Sequence, residues 1–287
     1  MSFIEKFEGK SIIPLEKYEG EDLKVNPSYN PSEYDGKSDY IKICVFDLET
    51  TGTNKDSDKI LEIAMKVMQI NKHSGKECIV IDEYESFEDP EEPIDPLITQ
   101  ITGINNEMTD GKKIDWSCVS EILKKSDLIV AHNSAFDRGF LEKRIEFRLP
   151  WACSYSDIDW LERGFCSSKL ELLCIWHGFF FGAHRAMNDV DALIHLMIHD
   201  NYLDNKPIVE LINNARQPYH KVVLTFSYDE NIVKDVKSMR YRWDGNNKKW
   251  WKIYKTHEEM AEETSKLSDK VSKELIKLSS YDKFKID

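Results

Sequence analysis

The stretch YIKICVFDLET, residues 40–50, is a near-continuous apolar run that ends in two acidic residues. Such a run predicts a β-strand that is buried on both faces. Side chains two residues apart point to the same face of a strand, so we expect Asp47 and Glu49 to project together from its end. The Thr-Thr-Gly at 50–52 predicts a tight turn at which a ligand can approach the backbone. Acidic residues are also common at solvated strand ends, so this pair alone does not identify a site.

The segments around this strand predict an α/β fold. Two stretches rich in β-formers follow it, KILEIAMKVMQIN at 59–71 and CIVIDEYESF at 78–87, and their tight connections indicate a three-stranded meander. DLIVAHN at 127–133 predicts a fourth buried strand, with helical patterns before and after it. Three strands in a row, then helices alternating with further strands, are typical of a mixed sheet flanked by helices. We place this domain at residues 40–203.

The rest of the chain predicts four further segments. Residues 1–39 are polar and contain prolines, which indicates an irregular N-terminal extension. A packed arm is the alternative, because several apolar residues could dock. These residues are Phe3, Phe7, Ile12, Ile13 and Leu15. We expect a linker helix at 204–220, a small basic and aromatic α+β module at 221–255, and a charged helical tail at 256–287.

The chain as a whole is acidic, whereas the module at 221–255 is basic. The 287 residues have a formal net charge of −13. A uniformly acidic surface repels phosphate, so a nucleic-acid binder of this composition has to concentrate positive charge locally. The module holds nine Lys and Arg residues against four Asp and Glu residues. An acidic total also suits a protein that gathers carboxylates around divalent cations.

Cysteine usage and hydropathy bear on the compartment. The six cysteines lack the C-x₂-C spacing of a zinc site, and several lie in apolar stretches, which favours reduced thiols. The first residues contain no apolar run of signal-peptide length, and no stretch approaches the ~18 apolar residues of a membrane helix. We therefore expect a soluble, cytoplasmic protein without a membrane partner.

Two later stretches supply further acidic residues and a histidine. Asp137 lies in the first turn of a helix after a buried strand, a junction at which α/β sheets bind ligands. The alternative is that Asp137 only complements the positive end of the helix dipole. In HRAMNDVDAL, His184 precedes Asp189 by five residues, at the start of a helix. Asp191 is a rival carboxylate, and a lone histidine is more often a surface or core residue.

The order of these motifs is more specific than any one of them. VFDLETTG, AHNSAFDRGFLE and HRAMNDVDAL, with ITQITGI before the second, closely resemble the motifs of the DEDDh exonucleases, the superfamily of the proofreading epsilon subunit of bacterial replicative polymerases. The resemblance covers residues 40–203 and implies a ribonuclease-H-like fold and 3′→5′ exonuclease activity. WACSYSDIDWLERGF and ARQPYHKVVLTF are further similar to a bacterial branch of the family with a small C-terminal module.

By motif position, this resemblance implies four metal ligands, Asp47, Glu49, Asp137 and Asp189, with His184 as the general base. Ligands that are all oxygen suit two Mg²⁺ or Mn²⁺ ions better than zinc. A pair of such cations stabilises both the attacking and the leaving oxygen of a phosphodiester, and an imidazole exchanges its proton near neutral pH. The implied product is a nucleoside 5′-monophosphate.

The resemblance also implies contacts to the terminal nucleotide. The backbone at Glu49 and Thr50 is expected to meet the 3′-hydroxyl, and Phe136 to line the site. Leu48 and Ile101 are expected to wedge beside the terminal base.

In the basic module, positively charged residues alternate with aromatic ones, which suits single-stranded nucleic acid. We expect the module to grip the substrate strand. The residues expected to contact the strand are Arg240, Arg242, Lys248 and Lys249. The alternative is that Trp243 and Trp250 form the core of a small domain.

The expected partner is nucleic acid, with single-stranded 3′ ends of DNA favoured, and a polymerase or repair complex is a second candidate. An exoribonuclease of the same fold would differ in its contacts to the 2′-hydroxyl, which the sequence does not reveal. A non-catalytic nucleic-acid-binding protein is a third alternative, against which the complete set of motifs argues.

Overall fold

The structure, a computed structural model, describes residues 4–34, 37–245 and 247–285. The chain divides into Met1–Ala215 together with Phe284–Asp287, and Arg216–Lys283. In the first unit, one 3-10 helix (Ile4–Phe7) precedes the first strand in the sequence and another (Pro31–Glu33) follows it. The strands are β1 (Glu16–Lys17), β2 (Tyr40–Thr50), β3 (Ile60–Asn71), β4 (Ile79–Phe87), β5 (Leu128–Ala131), β6 (Trp151–Cys153) and β7 (Phe179–Phe180). The helices are α1 (Pro96–Thr102), α2 (Asn106–Thr109), α3 (Trp116–Lys124), α4 (Ser134–Leu141), α5 (Leu170–His177), α6 (Ala186–Ile198) and α7 (Pro207–Arg216).

β2 lies at the centre of a five-stranded sheet of order β4-β3-β2-β5-β6. It pairs antiparallel with β3, and β3 pairs antiparallel with β4. β5 runs parallel to β2, and β6 runs parallel to β5. The predicted α/β fold with a mixed sheet is confirmed.

β2 is buried on both sides because its side chains alternate between two cores. Phe46 packs into one core together with residues of α3 and α4, and Val45 packs into the other together with residues of α6. Continuing this alternation, Asp47 and Glu49 point to the side of the sheet that α6 covers. The strand thus delivers its two carboxylates towards the helix that follows His184.

Part of the N-terminal extension packs on the first unit through β1, Tyr18 and Leu23. β1 pairs in parallel with β7, and Leu23 is buried in the core on the α6 side. The ring of Tyr18 stacks on that of His195, with 4.1 Å between their centroids. Ile12 is exposed, whereas Phe3 and the side chain of Phe7 lie outside the described residues.

The second unit is a four-stranded antiparallel sheet with helices. Its elements are β8 (Tyr219–Thr225), α8 (Glu230–Ser238), β9 (Arg242–Asp244), β10 (Lys249–Tyr254), α9 (His257–Ser265) and β11 (Ser272–Leu278). The sheet order is β11-β8-β10-β9. Val222 and Tyr254 share a small core with Ile232 of α8 and Met260 of α9.

The prediction of a charged helical tail at 256–287 is wrong for its second half. α9 is helical, but β11 pairs with β8 along its whole length. Its sequence, SKELIKL, has no clear polar–apolar alternation and its side chains are mostly exposed. Its hydrogen bonds satisfy an edge of β8 that would otherwise be open. The predicted linker helix at 204–220 corresponds to α7 and the first residues of β8. Within the described ranges, no helix is long and apolar enough to cross a membrane.

Candidate active site

Three carboxylates converge where β2 ends. Asp47 and Glu49 come from β2, and Asp189 comes from the first turn of α6. One oxygen of each side chain lies within 4.8 Å of the other two, and all three side chains are partly buried. We call these three residues the carboxylate cluster. Their geometry allows them to share a cation.

Asp137 of α4 is a fourth carboxylate beside this cluster. Its negative charge raises the pKa of Asp47 and of Glu49, after the larger effect of burial. The side chain is 1% exposed. Its carboxylate accepts hydrogen bonds from the backbone N–H groups of Asp137 and Leu48, yet its Oδ1 atom has no hydrogen-bond partner among the described residues. A buried carboxylate oxygen without a partner is costly, which indicates a position for a ligand.

All four carboxyl groups have raised pKa values. Burial is the largest cause for each, and it raises the pKa of Glu49 to about 8, that of Asp137 to about 8 and that of Asp189 to about 7. The pKa of Asp47 lies well above its ordinary value because of burial and the charges of Asp189 and Asp137. Anions held this close oppose one another's ionisation, and a cation between them would relieve the repulsion.

Glu62 is a buried site residue that was not predicted from the sequence. It lies on β3 directly opposite Glu49 and is fully buried. Its carboxylate accepts hydrogen bonds from the guanidinium of Arg185, the shortest at 2.9 Å, and from the backbone N–H of Ala186 at 2.9 Å. The pair fixes the start of α6 against the sheet. The signal in the sequence is an acidic residue near the start of a strand of mainly apolar residues.

His184 lies in the loop before α6. Its φ angle of 64° is in the left-handed region, which is uncommon for a residue other than glycine. The carboxylate of Asp189 accepts hydrogen bonds from the backbone N–H groups of His184 and Arg185, the latter at 3.2 Å. Asp189 therefore holds this turn beside the carboxylate cluster, and the imidazole of His184 is exposed to solvent.

Asp191, the rival of Asp189, lies elsewhere. Its carboxylate pairs with the buried ammonium group of Lys66, which also donates to the backbone carbonyl of Leu23 at 2.9 Å. On α6, residues two apart face different directions. The structure therefore brings Asp189 to the cluster and engages Asp191 in an ion pair beneath the N-terminal arm.

The residues predicted to contact the terminal nucleotide differ in exposure. Ile101 is 47% exposed on α1, and Phe136 is half-buried against Phe140. Leu48 is 4% exposed and packs in the core, so its side chain is not placed as the predicted wedge. The hydroxyl of Thr50 donates to the carbonyl of Gly52 at 2.6 Å, which shapes the turn after β2.

The side chains at the site fit hard divalent cations. The donors are carboxylate oxygens only, the set that Mg²⁺ and Mn²⁺ prefer. The Oδ1 atom of Asp137 has no partner among the described residues, and the pKa values of the carboxyl groups are raised. Both observations indicate that these carboxylates need positive charge from a bound cation.

The four residues predicted to grip a strand lie on or beside the β9–β10 hairpin. Arg242 begins β9 and Lys249 begins β10. Arg240 and Lys248 lie in the flanking loops with positive φ angles of 62° and 52°.

Comparison with known proteins gives one family. The family model RNase_T, described as exonuclease, matches residues 44–197, from β2 to α6. The PolC-type DNA polymerase III of Bacillus subtilis is 30% identical over 207 residues, which cover 63% of this chain and 14% of the polymerase. The corresponding protein of Clostridium perfringens is 28% identical over 205 residues, 63% of this chain and 13% of the polymerase. The chain thus spans a small part of these curated relatives.

Two solved structures are similar at low scores. Exonuclease X in complex with 5′ overhanging duplex DNA gives a TM-score of 0.41 at 22% identity, over 58% of this chain and 99% of its own. The zinc-bound E. coli ExoI–ssDNA complex gives a TM-score of 0.45 at 17% identity, over 63% of this chain and 48% of its own.

Proposed function

Because this chain belongs to the RNase_T family of exonucleases, whose family model matches residues 44–197, we propose that it is a 3′→5′ exonuclease that removes nucleotides from DNA ends. The observation that supports this most is the convergence of Asp47, Glu49 and Asp189 within 4.8 Å of one another. Buried Asp137 lies beside them. Such a group of oxygens, suited to hard cations, is what two-metal hydrolysis of a phosphodiester requires.

In the proposed site, Asp47, Glu49, Asp137 and Asp189 would hold two Mg²⁺ or Mn²⁺ ions. Bound there, the ions would stabilise the negative charge that builds on the attacking and leaving oxygens. Asp189 has a second task, because its carboxylate also ties down the backbone of the turn before α6. The product released is a nucleoside 5′-monophosphate.

His184 acts as the general base. Its exposed imidazole accepts the proton of the attacking water while the hydrogen bonds of Asp189 hold its backbone. Glu62 and Arg185 keep this turn against the sheet and are positioning residues. The backbone at Glu49 and Thr50 receives the 3′-hydroxyl.

Phe136 and Ile101 line the place of the terminal nucleotide. Ile101 has an exposed side chain, and Phe136 packs beside Phe140 on the helix of Asp137. Apolar side chains in these positions suit contact with a base or a sugar, whereas the carboxylate cluster suits the phosphate through its cations.

DNA is the proposed substrate because the PolC relatives are DNA polymerases by name. The same relatives support a role for this exonuclease in a complex with a polymerase or with repair proteins. A reducing compartment such as the cytoplasm is proposed because all six cysteines are free.

Digestion of oligonucleotides labelled at the 5′ end tests this function. In Mg²⁺ or Mn²⁺, a DNA strand should shorten stepwise from its unlabelled 3′ end, and EDTA or Asp47→Asn should stop the reaction. An RNA strand of the same sequence, digested in parallel, tests whether the enzyme prefers deoxyribose to ribose. We expect the RNA strand to be digested more slowly than the DNA strand. Immediate release of the label as a mononucleotide, or unchanged turnover by Asp47→Asn, would contradict the proposal.

A further inference from the structure

The sheet of the second unit has two unlike sides. Val222 and Tyr254 point to the side where α8 and α9 complete the small core. Side chains alternate along a strand, so their neighbours in sequence point to the opposite side. We call that side the outer face. Beside Trp251, it carries the basic residues Lys221, Arg242 and Lys249 and the acidic residues Asp244 and Glu274.

Trp251 lies near the middle of the outer face with a cation on each neighbouring strand. The Nζ atom of Lys221 on β8 is 5.3 Å from the centre of the Trp251 ring. The guanidinium carbon of Arg242 on β9 is 5.5 Å from it. Lys249 lies on the same strand as Trp251, and its ammonium is 3.8 Å from the carboxylate of Glu274. A large aromatic ring between basic groups matches the bases and phosphates of a single strand.

The other two tryptophans of the hairpin have a different setting. Trp243 and Trp250 face each other across β9 and β10, with 5.2 Å between ring centroids. Trp250 packs against the small core, and Trp243 is 51% exposed beyond it. Trp250 therefore fits the predicted core role, and Trp251 is the tryptophan that lies on the outer face.

Charge is unevenly divided between the two units. Arg216–Lys283 contains fifteen Lys and Arg residues against eleven Asp and Glu residues, whereas the rest of the chain contains twenty-four against forty-one. The unit with the candidate active site therefore has a net negative charge, which repels a polyanion. A substrate strand needs a positively charged surface elsewhere on the chain to be retained.

We propose that the outer face binds the single strand of the DNA substrate, with a base packed against Trp251 and phosphates paired with Arg242 and Lys221. This inference rests on the proposed function for the choice of DNA. Arg240 and Lys248, in the loops at the two ends of the hairpin, are two further exposed basic residues of this unit.

Binding of a fluorescent oligothymidine to the full-length chain in EDTA tests the proposal without hydrolysis. The variant Lys221→Gln/Arg242→Gln should bind about tenfold more weakly, with a salt slope smaller by about 1.4, since each phosphate contact on a single strand contributes about 0.7. Trp251→Ala should also lose about tenfold, and Trp251→Phe should retain most of the affinity.

The matched control is Lys234→Gln/Lys237→Gln, which removes two exposed positive charges from α8 on the opposite side of the sheet. It should bind the strand nearly as tightly as the parent chain. Equal weakening by the control, unchanged affinity of the outer-face variant, or tighter binding of duplex than of single strand would overturn the proposal. If Trp251→Ala does not fold, the double charge variant, which keeps Trp251, decides.

Hydrolysis of the p-nitrophenyl ester of thymidine 5′-monophosphate separates this proposal from the proposed function. This small ester reaches the active site without a strand to bind. The outer-face variants should hydrolyse it at the parent rate in Mn²⁺. A rate that falls together with strand affinity would contradict a separate binding surface, whereas a parent chain inactive on ester and DNA would refute the exonuclease function alone.

Discussion

At the scale of single residues, the site is a set of anions that lack positive charge. The Oδ1 atom of Asp137 is buried without a hydrogen-bond partner among the described residues. The motif order predicted Asp47, Glu49, Asp137 and Asp189 from the sequence. Spacing alone left Asp189 and Asp191 as alternatives, because only the fold reveals which of them faces Lys66.

Replacing His184 by glutamine should remove the general base. We expect kcat to fall by about 10²–10⁴ with little change in KM, because only proton transfer in the transition state is lost. Steady-state digestion of a DNA strand measures this. His73→Gln, in an exposed loop, is the control and should retain the parent rate. A His184→Gln enzyme with the parent kcat would remove His184 from the mechanism.

The raised pKa values predict how the metal-free chain responds to pH. The carboxyl groups of Glu49, Asp137 and Asp189 titrate near 7–8 when folded, far above the ordinary values of 3.8 for Asp and 4.5 for Glu. The folded chain therefore retains protons that the unfolded chain has released. Stability that is present at low pH is lost as pH rises through about 7–8.

Thermal melting between pH 6.5 and 8.5, in EDTA and in Mg²⁺, measures this effect. The Tm in EDTA should fall as pH rises, and the gain from Mg²⁺ should grow, because the cation competes with protons for the same oxygens. Burial lowers the pKa of His132 and His177 to about 4 and that of His199 to about 3, so their opposite contribution is complete near their ordinary pKa of 6.5, the lower edge of this window. A gain from Mg²⁺ that does not vary with pH would contradict the account.

At the scale of elements, β3 positions the start of α6 through one ion pair, in which the carboxylate of Glu62 is buried and Arg185 is partly exposed. Glu62 holds Arg185 and Ala186, the residues that directly follow His184. Apolar patterns predicted β2 and β3 from the sequence because both strands are buried on two faces. They did not predict β11, whose exposed side chains give a weak signal and whose pairing with the distant β8 is a tertiary contact.

Glu62→Gln should lower kcat by about 10–100-fold, the usual range for partners that orient a metal site, with a smaller change in KM. The amide keeps the size of the side chain but loses the ion pair with Arg185. The kinetics should be accompanied by a circular dichroism spectrum like that of the parent. Glu121→Gln removes an exposed carboxylate from α3 and serves as the control. Equal effects of both substitutions would contradict a positioning role for Glu62.

At the scale of the whole molecule, the N-terminal arm and the second unit are the parts that sequence patterns described least well. The arm packs through β1 and through Leu23, whose backbone carbonyl accepts a hydrogen bond from Lys66. These contacts join residues that are far apart in the sequence. The polar composition of the arm predicted an irregular segment and left docking open. The basic character of the hairpin was evident from composition, but the choice of Trp251 over Trp243 required the strand register.

Gly20→Ala should release the arm. Gly20 has a φ angle of 70°, and a methyl group there would overlap the carboxylate of Asp191, which cannot withdraw without leaving buried Lys66. We expect a loss of about 1–3 kcal/mol in the free energy of unfolding beyond that of Gly111→Ala. Gly111 has a φ angle of 63° and open space around it, so its substitution reports the backbone cost alone. Urea unfolding measures the free energy of unfolding of both variants. An equal loss of stability in Gly20→Ala and Gly111→Ala would contradict the packing of the arm against Asp191.

Anomalous diffraction from crystals grown with Mn²⁺ tests the metal site most directly. We expect two manganese peaks bounded by carboxylate oxygens of Asp47, Glu49, Asp137 and Asp189. Manganese bound only elsewhere, or no peak among these oxygens in a crystal that contains the ion, would contradict this expectation.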